Sequence, residues 1–353
     1  MNLEQRISSF SRLGEILRSF TGERSNTSVE HQLSSGIEAI MQTAMEKAER
    51  ENTWFTRDNI LLAFNYWGNM LDQPILENWL VKYTPKTREK ADPKRVGVIM
   101  AGNIPMVGFH DMLSVLLSGN HLIAKLSSQD ASLIPALIQV LKRLEPSWAN
   151  RIEITTGEIN KPEAIIATGS NNTSRYFNYY FGKYPHIIRK NRTGVAILDG
   201  EESTTELQGF ASDIFSYFGL GCRNVSKLYL PEGYDIKPLH EAFLQYQDLF
   251  HHPKYRNNLD YYKSIYMVNR TRFLDGIFYL LVEAEPLTTP VSILHFEYYR
   301  DLSLVEATLD QQREQIQCVV SRKSLVKPGE TQNPALSDYA DGVDTMEFLM
   351  EKI

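Results

Sequence analysis

"RVGVIMAGNIPMVGFHDMLSVLLSGNHLIAKLSS", residues 95–128, reads as strand, loop, helix and strand in close succession. "RVGVIMAG" is an apolar run ending in small residues, the pattern of a buried strand, and it empties into the loop "NIPMVG". A helix through "FHDMLSVLLSGN" is predicted to stop at Gly119, because glycine takes the left-handed conformation that closes a helix without penalty. "HLIAKLS" then reads as a second strand. The pattern repeats downstream. "DASLIPALIQVLKRLE" is predicted as a helix capped by Ser128 or Asp130, "RIEITTG" and "AIIATGS" as strands, 171–182 as a helix and "GVAILDG" as a further strand. Strands alternating with helices across short loops predict a parallel sheet of the doubly wound kind. Residues 95–200 are therefore read as a Rossmann-like domain.

Upstream, residues 1–94 are predicted to be helical. Leu3, Ile7, Phe10, Leu13, Leu17 and Phe20 recur every three or four positions, as do Leu33, Ile37, Ile40, Met41 and Ala44. Ile60, Leu61, Phe64 and Trp67 form a third apolar stripe behind a cap at Thr56. "TPKTREKADPKR", 84–95, carries two prolines and seven charges and reads as a linker or exposed crossing loop. Downstream, "ESTTELQGFASDIFSYFGLG" is predicted as a helix, followed by "KLYLP", a helix near "KPLHEAFLQYQDLF", and apolar runs at "SIYMVN" and "PVSILHF". These give a second α/β layer over 201–327, with 328–353 as a loop-like tail.

The chain has 353 residues, a formal net charge of -6 and a pI near 5.8, so it lacks the basic excess of a nucleic-acid binder. Two cysteines are too few for a disulfide framework or a structural zinc site, which favours a reducing compartment, the cytoplasm. The N-terminal twenty residues lack a signal-peptide pattern. The most apolar stretch, 96–117, is interrupted by Asn103, Pro105, His110 and Asp111, so no membrane span is predicted. No dinucleotide G-x-G-x-x-G, phosphate-gripping loop, H-E-x-x-H or G-x-S-x-G is present, and no metal is expected. His251 and His252 read as surface residues. That leaves the thiols. Cys318, inside "QIQCVVSR", reads as core. Cys222 follows the bend "GLGC", where Gly219 and Gly221 allow a sharp turn and Arg223 favours a thiolate. A lone cysteine is more often a small buried hydrophobe, so the surrounding pattern must decide between the two.

Three stretches carry that pattern: "AGNIPMVGFHDMLSVLLSGNHLIAKLSS" from Ala101, "IATGSNNTSRYF" from Ile166, and "FGLGCRNVSKLYLP" from Phe218. Their order and spacing resemble the aldehyde dehydrogenase superfamily. Within it, the helical start with "NTWFTRDNILLAFNYWGNML", the compact length and the ending "YADGVDTMEFL" are most similar to the acyl-CoA reductase family of the bacterial-bioluminescence type. The resemblance covers most of the chain from about residue 50 and weakens after 235. It implies an α/β, aldehyde-dehydrogenase-like fold of two Rossmann-like domains with a helical N-terminal region. Residues 1–94 would pack on the cofactor domain, 95–200 would bind NAD(P), and 201–327 would carry the cysteine.

By the same resemblance Cys222 is the nucleophile that holds the acyl group as a thioester. Asn103 is the side-chain donor of the oxyanion hole, and Lys125 reaches the adenosine ribose of the cofactor. NAD-specific relatives have a glutamate two positions after that lysine; here "KLSS" supplies Ser127 and Ser128, so NADPH is the expected cofactor. Thr168, Gly169 and Ser170 match the turn beneath the pyrophosphate and nicotinamide, whereas a glycine of the relatives is Ser174 here. Glu285, in "EAEPLTTPVSILHF", is similar to the ribose-binding glutamate of an E-x-F-G-P motif whose F-G part is missing. The water-activating glutamate of hydrolytic relatives is absent: Arg189 and Lys190 stand there, and no acid occurs between Ser170 and Leu198. An acyl-cysteine spared from water suits reduction of a fatty acyl-CoA or acyl-carrier thioester to the aldehyde. The same scaffold would also serve an acyl-phosphate reductase, a thiol acyltransferase or a non-catalytic partner subunit. The superfamily's habit of pairing implies a homodimer.

Overall fold

The computed structural model describes residues 1–22, 31–83, 92–169 and 171–353, so Ser170 and linker residues 84–91 lie outside the described residues. The chain divides into two compact units, residues 1–190 with 335–353, and residues 191–334.

The first unit begins with helices α1 (Leu3–Phe20), α2 (His31–Glu51), α3 (Arg57–Met70) and α4 (Gln73–Val81). Ile7, Phe10, Leu13 and Leu17 are the buried stripe of α1, and the Thr56 hydroxyl caps α3 by accepting from the Asn59 amide. Then come β1 (Arg95–Ile99), α5 (Phe109–Leu117), β2 (His121–Lys125), α6 (Leu133–Leu144), β3 (Ile152–Thr155), β4 (Ala164–Thr168), α7 (Asn171–Phe181) and β5 (His186–Arg189). All five strands pair in parallel in the order β3-β2-β1-β4-β5, with Ile99 opposite Lys125 on one side and Ala167 on the other. The strand order reverses between β1 and β4, and the carboxyl edge at such a reversal is where open α/β sheets leave a crevice. Gly119 closes α5 with a φ of 86°, and a Cβ there would meet the Arg6 guanidinium 2.3 Å away. The helices cover the sheet through an apolar core in which Phe10 meets Phe109 and Trp148 edge-on.

The second unit holds β6 (Thr193–Ile197), α8 (Thr204–Phe215), β7 (Val225–Pro231), α9 (Lys237–Phe243), α10 (Pro253–Val268), β8 (Leu274–Asp275), β9 (Leu280–Glu283), β10 (Ile293–Tyr299), α11 (Leu302–Gln311) and β11 (Ile316–Val320). Its sheet runs β11-β6-β7-β10-β9-β8, parallel except for the β8–β9 pair. The chain then returns to the first unit through α12 (Thr345–Glu351). This tail is pinned there: Asp344 accepts from the Tyr83 hydroxyl at 2.7 Å, and the Leu336 carbonyl bonds His110 Nε2 at 3.0 Å.

Several local expectations change. The strand within "GVAILDG" pairs with β7 and β11, so it belongs to the second sheet, and the compact units divide before it, not after residue 200. The apolar run "SIYMVN" forms the end of α10, because it has no period of its own and the helix begun at Pro253 continues through it. Helix α6 starts only at Leu133, and Asp130 assists its start by accepting from the Leu133 amide at 3.3 Å. Among the described residues no helix is long and apolar enough to cross a membrane.

Candidate active site

In the first unit the sequence-selected residues collect at the carboxyl edge of the sheet. Asn103 lies in the loop after β1, Lys125 ends β2 with Ser127 and Ser128 just beyond, and Thr168 ends β4 with Gly169 following. Asn103 and Lys125 are half-buried, and Ser128 is exposed. The Lys125 ammonium makes no hydrogen bond or ion pair among the described residues. Ser127 Oγ accepts from the Gln129 amide at 3.2 Å, which leaves its own proton to donate. Gly169 is needed where it stands: a Cβ would press on Phe177 at 2.9 Å and Thr173 at 3.1 Å, so α7 lies directly over that turn. An uncommitted cation and hydroxyl donors at a topological switch point suit a nucleotide's ribose and phosphate oxygens.

The loop carrying Asn103 is held by a residue that sequence reasoning treated only as a cap. Asp130 is buried, and its carboxylate accepts from the Met106 amide at 3.0 Å, fixing Met106 at a left-handed φ of 60°. Burial pushes this carboxyl up to about 6, while the amides of Met106, Leu133 and Ile134 pull the other way. Gly102 packs so closely on Ser127 that a Cβ would sit 2.5 Å from its hydroxyl, so the loops after β1 and β2 are in direct contact. The N-terminal helices join in: Asn52 Nδ2 donates to the Gln129 carbonyl at 3.2 Å, and Ser132 Oγ donates to Glu51 at 2.6 Å.

Arg189, where hydrolytic relatives would place an acid, is buried; it pairs with Asp111 and donates to Thr345 Oγ1 at 2.9 Å. Lys190 is exposed. Arg189 thus serves to tie β5 to α5 and α12.

In the second unit Cys222 is solvent-exposed on a four-residue turn closed by the Asn224 amide donating to the Gly221 carbonyl at 3.1 Å. The approach to it is strained. Tyr217 and Phe218, both buried, take left-handed φ values of 52° and 59°, and Gly219 follows at 75°. Gly221, expected to share the bend, is not in that region; the two aromatics carry it instead. Non-glycine residues held there cost about 1–2 kcal/mol each, so something must over-determine the turn. That something is Asn224, which sequence reasoning missed. Its buried amide accepts from the Gly221 amide at 2.8 Å and donates to the carbonyls of Asp213 at 3.0 Å and Ser216 at 2.9 Å. One side chain thereby sews the end of α8 to the thiol-bearing turn. Asp213 in turn accepts from the amides of Gly329 and Thr331 at 2.8 and 3.0 Å, and burial pushes its carboxyl up to about 6.

Cys318 lies under the same turn, its sulfur 3.6 Å from the Arg223 carbonyl oxygen. Burial pushes its thiol up to about 12, which leaves it inert at neutral pH. Glu285 is exposed on the segment after β9. Of the aromatics beside Cys222, Phe215 packs against Phe243, Tyr246, Phe278 and Tyr279, while Phe218 meets His252 and Tyr255.

The family model described as acyl-CoA reductase (LuxC) matches residues 15–243. The chain belongs to this acyl-CoA reductase family. The matched span contains Asn103, Lys125 and Cys222, and it excludes the Glu285 segment. The fold is that of the aldehyde dehydrogenases. Aldehyde dehydrogenase 21 from Physcomitrella patens, solved with the reaction product succinate, superposes with a TM-score of 0.63 at 11% identity, covering 99% of this chain and 87% of that one. An NADP-dependent enzyme of E. coli gives 0.58 at 13% identity, covering 90% and 74%. An aldehyde dehydrogenase of Mycobacterium tuberculosis in complex with NAD+ gives 0.55 at 11% identity, covering 88% and 77%. No curated protein sequence matches the chain. As a member of the acyl-CoA reductase family the chain is an oxidoreductase of the aldehyde-forming class.

Proposed function

We propose that this reductase converts a fatty acyl-CoA, or another long-chain acyl thioester, to its aldehyde with NADPH, through an acyl group held on Cys222. The reading is carried by one observation: Cys222 is an exposed thiol on a turn that Asn224 locks, in a chain of the acyl-CoA reductase family.

The Cys222 thiolate attacks the thioester carbonyl. A new sulfur–carbon bond forms, the bond to the carrier sulfur breaks, and the carrier thiol leaves. Asn103 and the Cys222 main-chain amide are assigned to the oxyanion of that step, the kind of donor worth about 3 kcal/mol in the transition state. No aspartate or glutamate lies between Ser170 and Leu198, and Arg189 is committed to Asp111. That stretch therefore offers no carboxylate to activate water, which favours a persistent acyl-cysteine. NADPH, when bound, supplies the hydride that takes the acyl-cysteine to the aldehyde and frees the thiolate. Lys125, Ser127 and Ser128 are assigned to its adenosine ribose, Thr168, Gly169 and Ser170 to its pyrophosphate and nicotinamide, and Glu285 to a ribose hydroxyl. The serines after Lys125 accept a 2′-phosphate that a carboxylate would repel.

Incubation with labelled long-chain acyl-CoA tests this reading. Wild type is expected to take up label without NADPH and to release aldehyde when it is added, whereas Cys222→Ser does neither. Equal labelling and reduction by Cys222→Ser would sink the mechanism.

A further inference from the structure

Cys222 is followed, four and five residues later, by Ser226 and Lys227 at the start of β7. Both side chains reach the segment after β9 that bears Glu285. Lys227 Nζ donates to the carbonyls of Ala284 at 2.5 Å and Glu285 at 2.9 Å. His295, its register partner on β10, bonds the Pro286 carbonyl through Nδ1 at 2.8 Å. Ser226 Oγ donates to the Leu287 carbonyl at 2.5 Å and is itself paired with the Thr193 hydroxyl at 2.6 Å. Four consecutive main-chain carbonyls are thus each bound by a side chain of β7 or β10, while the Glu285 side chain faces solvent.

Core packing does not account for this choice of residues. The Lys227 side chain is 0% exposed, and burying an ammonium costs several kcal/mol unless it is paired and hydrogen-bonded. Here all three donors are used, the third on the Glu297 carboxylate. A methionine would fill the same space without the desolvation cost. What the lysine adds is direction: it fixes the main chain on both sides of the Ala284–Glu285 peptide. Burial, with the Lys227 charge acting the same way, holds His295 below its ordinary pKa, so the ring is neutral and donates through Nδ1.

We propose that Lys227, assisted by Ser226 and His295, is a positioning residue that holds the Glu285 carboxylate ready for the cofactor's ribose, on the same strand that begins just after the nucleophile. This rests on the role given to Glu285 above. The clamp acts on cofactor affinity and not on the acyl transfer to Cys222, which separates it from a merely structural lysine.

The test measures two quantities on full-length protein. NADPH affinity is read from nicotinamide fluorescence with no acyl donor present, and the Cys222 acylation rate is read with labelled acyl-CoA and no NADPH. Lys227→Met is expected to weaken NADPH about tenfold while acylation stays within about twofold of wild type. Glu285→Gln should weaken NADPH comparably, and the double variant should be no worse than either single one. The proposal is overturned if Lys227→Met binds NADPH like wild type, if acylation falls as far as NADPH affinity, or if the two substitutions add. Should Lys227→Met not fold, Ser226→Ala decides: about threefold weaker NADPH with unchanged acylation supports the clamp, and unchanged NADPH affinity overturns it. A wild-type protein that binds NADPH but takes no acyl label refutes the acyl-CoA reaction, while the fluorescence arm still judges the clamp.

Discussion

Asn224 shows how a single amide can set the position of an exposed thiol. It satisfies one donor and three acceptors at the junction of α8 and the Cys222 turn, all in a setting closed to water. Replacing it with alanine leaves those groups without partners, at a cost of about 1–3 kcal/mol for an unsatisfied buried group. Asn224→Ala should lower the unfolding free energy by about 3 kcal/mol in a denaturant titration. The strained Tyr217–Phe218 pair would then relax, so Cys222 acylation should slow by more than the loss of folded protein explains. An unchanged acylation rate in the folded fraction would mean that the turn is held by other means.

Among elements, α8 is constrained at two places along its length. One end delivers the thiol, and its middle lies under the 328–331 segment. At Gly209 a Cβ would stand 2.6 Å from the Pro328 carbonyl carbon and 2.7 Å from its oxygen, both main-chain atoms that cannot rotate away. Two residues of that segment, Gly329 and Thr331, are further bound by Asp213 from the next turn of the helix. Gly209→Ala improves helix propensity by about 1 kcal/mol yet must push the segment off the helix. The net expectation is a loss of about 1–3 kcal/mol in unfolding free energy. A variant as stable as wild type, or more so, would show that the segment yields freely. The helix itself was legible from its apolar spacing, and the structure adds a Ser203–Glu206 capping box; the strap across it was not legible, since nothing local in "VKPGETQ" names its partner.

For the whole molecule, two buried carboxyls set a pH dependence that composition would not suggest. Asp130 in one unit and Asp213 in the other both stand at about 6 in the folded chain, against an ordinary value of 3.8. Between those values the folded chain holds a proton that the unfolded chain has lost, so each group's contribution to stability declines as pH rises from about 4 to about 6. For Asp130 the span corresponds to about 3 kcal/mol. Other carboxylates and histidines titrate in the same range, so the comparison is made with Asp130→Asn. The unfolding free energy of wild type minus that of the variant should fall by about 3 kcal/mol between pH 4 and pH 7. A difference that stays flat would place Asp130 at an ordinary pKa.

The sequence by itself determined the alternation of strands and helices, the aldehyde-dehydrogenase-like fold and the acyl-CoA reductase family. Each is written in local periodicity or in short motifs whose meaning survives without neighbours. By its resemblance to that family it also singled out Asn103, Lys125 and Cys222. Only the tertiary structure decided that β6 joins the second sheet, that the tail returns to the first unit, that Asp130 and Asn224 hold the loops bearing Asn103 and Cys222, and that Lys227 holds the segment bearing Glu285. The physical reason is common to all three. Each acts through hydrogen bonds between a buried side chain and main-chain groups, and main-chain amides and carbonyls look alike in every sequence. A polar residue beside an apolar run gives no sign of its partner, whether that lies three residues along the chain or, for Lys227 and Ala284, 57 residues away.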